Sequence, residues 1–263
     1  IAASMPSGLK RNFGTMTKPL HAGLAGPAGA TAALLARDGF TADETAISGD
    51  RGFWDRYAEG AARVADPPGD PWRLEETGIS IKAYPCCYFT HTSIALASQL
   101  ADDHGLAPDD VERVEATTSR GAGDALVHAD PETGLEAKFS MEYALAAALV
   151  FDRVGLDAFD SEALADPAVQ HVRERASFVV DDSLAYKSNH ARVAVETVDG
   201  ERYEAELAAP PGTPANPLSE SELREKFLEC ATFVLDRPAA ADAFADLRAL
   251  RGCESVRDLL ASL

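Results

Sequence analysis

Apolar and polar positions divide the middle of the chain into short elements of two periods. HTSIALASQLADDH (91–104) repeats its apolar residues at helical spacing. VERVEATTS (111–119) alternates instead, the period of a half-buried strand. SMEYALAAALVFD (140–152) predicts a second helix opened by Ser140, and SFVVDD (177–182) a short strand. RVAVETVDGERYEAELA (192–208) predicts a hairpin that turns at Asp199-Gly200. Helices and strands mixed in this way predict an α+β domain over residues 79–209.

The flanks have a different texture. LHAGLAGPAGATAALLARD (20–38) is small and apolar and ends at Gly39, a favourable residue just past a helix. It predicts a closely packed helix, central to its domain, that Pro27 bends or restarts. Residues 47–64 predict a second, more polar helix, and PPGDPW (67–72) breaks the chain. PPGTPANP (210–217) is a second breaker. Ser219 and Glu222 then have capping-box spacing and open the helix LSESELREKFLECATFVL. Residues 239–262 continue helical, interrupted near Gly252. The expected plan is a helical domain begun by residues 1–78, interrupted by an α+β domain at 79–209 and resumed at 210–263.

Charge narrows the function. Among 263 residues, 43 are acidic and 24 basic, a formal net charge of −19. Such a field repels nucleic acid and anionic lipid, and no basic stripe offsets it. There is no run of eighteen apolar residues and no basic-then-apolar leader, so a cytoplasmic protein with no membrane partner is expected. The Asp/Glu-rich, Ala-rich, Lys-poor composition resembles that of salt-adapted proteins. Lysine occurs only as Lys10, Lys18, Lys82, Lys138, Lys187 and Lys226, so each is a stronger functional candidate than usual. Cys86, Cys87, Cys230 and Cys253 lack C-x-x-C spacing and read as reduced thiols in apolar surroundings; no metal is expected. RGAGDA (120–125) lacks the third glycine of a dinucleotide loop and carries Asp124 where pyrophosphate would lie, so it reads as a turn.

Three clusters carry candidate chemistry. In GTMTKPLHAG (14–23), Pro19 fits the first turn of a helix. Lys18 and His21 then stand beside unpaired N–H groups, which suits a carboxylate; the plain alternative is a surface lysine and a capping histidine. IKAYPCCYFTH (81–91) gathers Lys82, Tyr84, Cys87 and His91. AKFSMEY (137–143) puts Lys138 before a helix and Tyr143 in its first turn. His104, His128 and His171 read as surface residues, and His190 precedes a strand without an evident partner.

These segments, with SGLKRNF before the first and ANPLSESELREKF after the last, resemble the MmgE/PrpD family in order and span nearly the whole chain. The family includes 2-methylcitrate dehydratase, cis-aconitate decarboxylase and iminodisuccinate epimerase. The resemblance implies a large helical domain interrupted by a smaller α+β lid, an active site in the cleft between them, a homodimer, and no metal or organic cofactor. It assigns catalytic roles to Lys18, His21, Lys82 and Tyr143, and substrate contacts to Lys18, Lys82, Thr17, His91 and Cys87. Some branches carry histidine at Cys87, which leaves the subtype open. The implied activity is a lyase on a small polycarboxylate, 2-methylcitrate dehydratase-like and so part of propionate metabolism, with isomerase, epimerase or decarboxylase chemistry as alternatives. It also implies a helical segment upstream of Ile1 that carries further catalytic residues. A fragment with little activity of its own, or a subunit needing a separately encoded N-terminal half, is therefore a third reading.

Overall fold

The computed structural model describes residues 1–5, 8–57, 71–253, 255–257 and 259. Contacts divide the chain into two compact units, residues 1–78 and 79–263.

In the first unit α1 spans Thr17–Arg37, α2 Phe53–Tyr57 and α3 Arg73–Thr77. α1 runs through Pro27 as one helix rather than starting there. It ends in a Schellman turn: Gly39, at φ +87°, donates to the Ala36 carbonyl, and Phe40 donates to that of Leu35. Among the described residues of this unit, α1 is largely exposed. Ala32 is the buried residue of α1, while Leu20, Leu24 and Leu34 are exposed. Among the described residues α1 packs chiefly on the short turns Ala2–Ser4 and Lys10–Asn12. The helix expected over 47–64 is found as α2 alone; residues 47–52 are turns, and 58–64 lie outside the described residues. Most of the PPGDPW breaker also lies outside them.

The second unit is α+β. Its elements are α4 (His91–His104), β1 (Val111–Thr118), α5 (Arg120–Ala125), α6 (Gly134–Ala137), α7 (Met141–Val150), α8 (Ser161–Ala165), α9 (Pro167–Arg173), β2 (Ala176–Val180), β3 (Ala191–Thr197), β4 (Arg202–Leu207), α10 (Glu220–Ala231) and α11 (Arg237–Arg248). The strands form one mixed sheet in the order β2-β1-β3-β4. β1 pairs parallel with β2, Val114 opposite Ala176, and antiparallel with β3. β3 and β4 form the expected hairpin with Gly200 at φ +85° in its turn. β4 alternates exposed and half-buried residues along its length, as an edge strand with one wet face should. On that wet face Arg202 bridges Glu196 at 2.6 Å and Glu204 at 2.8 Å.

α7 occupies the centre. Every residue from Met141 to Leu149 except Glu142 is buried, so this helix is apolar nearly all round, and its run of alanines allows close approach from several sides. It packs on α4, α9, β1 and β2, while α4 also covers β3 and β4. Ser140 caps it by accepting a bond from the Tyr143 N–H at 3.1 Å.

Several expectations need correction. RGAGDA is the helix α5, not a turn. Gly121 is required there because its N–H donates to the Tyr186 carbonyl at 3.0 Å, and a Cβ would lie 2.1 Å from that oxygen. The helix opened by the Ser219–Glu222 capping box stops at Ala231 instead of running to Leu235. Asp236 then caps a new helix by accepting from the Ala239 N–H. α10 and α11 pack through Phe227 and Phe244, with ring centroids 5.5 Å apart. Helix follows up to Arg248 and a short turn at Leu250–Gly252; residues 254, 258 and 260–263 lie outside the described residues. Glu229 of α10 accepts from the Leu156 N–H at 2.6 Å and from Arg153 at 2.8 Å, which fastens α10 to the segment after α7. Cys230 and Cys253 are exposed rather than packed in apolar surroundings.

Candidate functional site

The segment Ile81–His91 enters the second unit as a closed loop. Its start is pinned where the Ile81 N–H donates to the Gly212 carbonyl at 2.7 Å. Gly212 sits at φ +89°, and a Cβ there would fall 1.9 Å from the Ile81 oxygen, so the PPGTPANP breaker supplies a position only glycine fits. The exposed Lys82 then reaches forward and donates from Nζ to the Cys86 carbonyl at 2.6 Å. Thr90 Oγ1 donates to the Cys87 carbonyl at 2.8 Å and lies 3.1 Å from Cys86 Sγ. The Cys87 N–H donates to the Lys138 carbonyl at 2.9 Å, joining two of the sequence clusters. Burial pushes the Cys86 thiol up to about 12, although the bond with Thr90 and the charges of Lys82 and Lys138 oppose the rise.

His91 opens α4 at the end of this loop and is fully buried. Its ring lies between Tyr84 and Tyr88, at centroid distances of 5.2 and 4.9 Å. Neither ring nitrogen makes a hydrogen bond of ordinary geometry, though the Cys86 and Tyr84 backbone lies close enough to favour its charged form slightly. Burial, reinforced by the charge of Lys82, pushes its pKa down to about 3. His91 is therefore a neutral imidazole whose ring nitrogens face the Cys86 and Tyr84 backbone without a well-formed hydrogen bond. Buried polar atoms are rarely left so, and Tyr88 Oη and Ser93 Oγ beside it in sequence are also unpaired. Burial likewise pushes the Tyr84 hydroxyl up to about 12.

A second loop meets α4. Thr92 Oγ1 donates to the Asn189 carbonyl at 2.5 Å, and Thr118 Oγ1 donates to that of His190 at 3.0 Å. Ser119 Oγ donates to the Ser188 carbonyl at 2.8 Å. The 186–190 segment is thus tied both to the first turn of α4 and to the end of β1, and it carries His190 with Nδ1 unpaired. Sequence reasoning missed this tie to the first turn of α4; its signal was the polar run YKSNH between two strands.

The other predicted residues stand on other elements. Thr17, Lys18 and His21 occupy the first two turns of α1, in the first unit. Lys18 Nζ is 5.8 Å from the centroid of Phe13, and half-buried His21 packs on Gly8, where a Cβ would come within 3.2 Å of Nδ1. Tyr143 is fully buried in α7, where its hydroxyl donates to the Ala158 carbonyl at 2.6 Å. Lys82, Cys87 and His91 are brought together on one loop, with Lys138 beside them.

Two cavities of the second unit are not lined by Lys82, Cys87, His91, Lys138 or Tyr143, although Tyr84 lines the second. One, of about 600 Å³, is walled by Asp152, Asp157, Asp160, Glu162 and Asp166. The other, of about 570 Å³, is walled by Glu222, Glu225 and Glu229 among others. Carboxylates outnumber the cations in their walls, Arg153 in both and Lys226 in the second, which disfavours an anionic ligand. Among the described residues no group of His, Cys, Asp and Glu is placed to hold a metal ion, and no helix is long and apolar enough to cross a membrane.

The family model of the MmgE/PrpD C-terminal domain matches residues 84–249. The chain is 28% identical to the cis-aconitate decarboxylase-like protein oryM of Aspergillus oryzae, over 99% of this chain and 58% of that protein. It is 24% identical to the cis-aconitate decarboxylases of Mus musculus and Homo sapiens, over 90% and 89% of this chain and 50% of each relative. The chain therefore spans about half the length of the curated relatives it matches.

Proposed function

The chain belongs to the MmgE/PrpD family, and from that premise we propose that it is part of a lyase acting on a small polycarboxylate. The observation that carries the reading is His91: a buried, neutral imidazole between Tyr84 and Tyr88, on a loop closed by one of the few lysines. A neutral imidazole donates one hydrogen bond and accepts another, which suits a carboxyl group. Lys82 supplies the local attraction that a net charge of −19 denies at long range. An ammonium there also stabilises the negative charge that builds on carbon when a proton or CO₂ leaves beside a carboxylate.

In this reading Thr17, Lys18 and His21 keep the substrate-facing roles that TKPLH implies, and Cys87 contributes to the ligand surface. Tyr143 holds the core through Ala158 instead of delivering a proton. The lid role of residues 79–209, a homodimer, a cytoplasmic location and a helical remainder that completes the catalytic set belong to the same proposal.

Two finer activities remain within it. Dehydration of a 2-methylcitrate-like substrate follows from the motif resemblance. Decarboxylation of a cis-aconitate-like substrate follows from the names of the relatives and is the reading they favour. A panel of 2-methylcitrate, citrate, cis-aconitate and iminodisuccinate separates them. It is followed by NMR in D₂O with the 263-residue chain alone and with it joined to the upstream half of a relative. CO₂ release, water loss or solvent proton exchange each identifies a reaction. No turnover and no exchange in either form overturns the proposal.

A further inference from the structure

Lys138 stands beside the candidate site and no role above uses it. Its carbonyl accepts from the Cys87 N–H at 2.9 Å, so its backbone is fastened to the same turn that Lys82 closes through the Cys86 carbonyl. Its side chain is half-buried, with Nζ 5.7 Å from the centroid of the Phe159 ring, a contact that holds a cation in place without neutralising it. Among the described residues neither Lys82 nor Lys138 has a carboxylate within ion-pair distance. The same holds for Lys10, Lys187 and Lys226, whereas Arg113, Arg153, Arg173 and Arg202 each find one. Two ammonium groups flanking one turn with no counter-ion repel each other, and a ligand with two negative groups relieves that repulsion.

We propose that Lys138 is a specificity-determining residue: Lys82 and Lys138 each hold one carboxylate of a single polycarboxylate ligand, on either side of the Cys86–Cys87 turn. Both cations lie close enough to Cys86 to oppose the rise of its thiol pKa, which agrees with their flanking it. A monocarboxylate satisfies one lysine only, so Lys138 selects for ligands with at least two acidic groups. The inference rests on the polycarboxylate reading above and deepens it.

The test is calorimetric titration of the full 263-residue chain with cis-aconitate and with crotonate, a monocarboxylate. Lys138→Met keeps an apolar stem over Phe159 and removes the charge, while Lys138→Arg keeps the charge. The wild type is expected to prefer cis-aconitate. Lys138→Met loses about tenfold or more of that affinity and leaves crotonate binding unchanged, whereas Lys138→Arg retains most of it. The same melting temperature in all three chains accompanies this result. If the wild type discriminates and Lys138→Met binds cis-aconitate as tightly, the inference is overturned and the polycarboxylate reading stands. Equal loss of both ligands in Lys138→Met marks a structural role and also overturns the inference. If the wild type binds no cis-aconitate, the polycarboxylate reading itself falls.

Discussion

Lys82 bonds the carbonyl of Cys86, and its charge bears on His91 five residues further on. One side chain therefore shapes the loop and adds to the burial that keeps its histidine neutral.

Removing that charge should be readable at the histidine. In Lys82→Met one cause of the depressed His91 pKa disappears, so the imidazole should titrate at higher pH than in the wild type. Long-range ¹H–¹⁵N NMR of the ring nitrogens against pH measures this. An unchanged or lower value would show that Lys82 does not act on His91.

His91 also makes folding pH-dependent. Its pKa falls from 6.5 to about 3 on folding, so between those limits the unfolded chain binds the proton that the folded chain refuses. Stability from this group is present above 6.5 and is lost as pH drops towards 3, at up to about 1.4 kcal/mol per pH unit. Urea titrations from pH 7 to 4 should show a shallower acid loss in His91→Gln than in the wild type. Parallel curves would count against the buried neutral imidazole.

The thiols should separate by reactivity. Cys230 and Cys253 are exposed, whereas Cys86 is buried with its pKa pushed up to about 12. A disulfide reagent at pH 8 should label the first two quickly and Cys86 only on unfolding. Mass spectrometry of the labelled peptides reads the order, and rapid labelling of Cys86 in the native chain would contradict it.

Gly212→Ala should loosen the candidate site from a distance. The new Cβ falls on the Ile81 carbonyl, and the residue must hold a left-handed backbone that costs about 1–3 kcal/mol without glycine. The expected outcome is a lower urea midpoint together with faster amide exchange at Ile81. Wild-type stability would mean that the 210–217 segment does not anchor the loop.

Much of the second unit was legible because its periods are clean. β1, the β3–β4 hairpin, α4 and α7 each follow from local alternation or helical repeats, with Ser140 and Gly200 as punctuation. What misled was composition read as location. The small-residue run in α1 suggested a central helix, yet α1 is largely exposed within its own unit, and nothing in the run states how many neighbours it will find. α5 was missed because two glycines in six residues lower helix propensity, while the approach of Tyr186 that requires Gly121 is a tertiary fact. At the candidate site, the grouping of Lys82, Cys87 and His91 was visible as one motif. The links from Cys87 to Lys138 and from Thr92 to Asn189 join distant parts of the sequence and leave no local trace.

The parallel pairing of β1 with β2 also sets an order of assembly. β3 and β4 meet across a short turn, so that pair can close quickly once made. β1 cannot complete its pairing until everything from Ser119 to Arg175 has been synthesised and folded back. Until then a central strand bearing Val111, Val114 and Ala116 waits with both edges open. A nascent chain from the ribosome therefore passes through a stage in which a core strand is unprotected, and there competition from chaperones or from other copies of the chain is strongest.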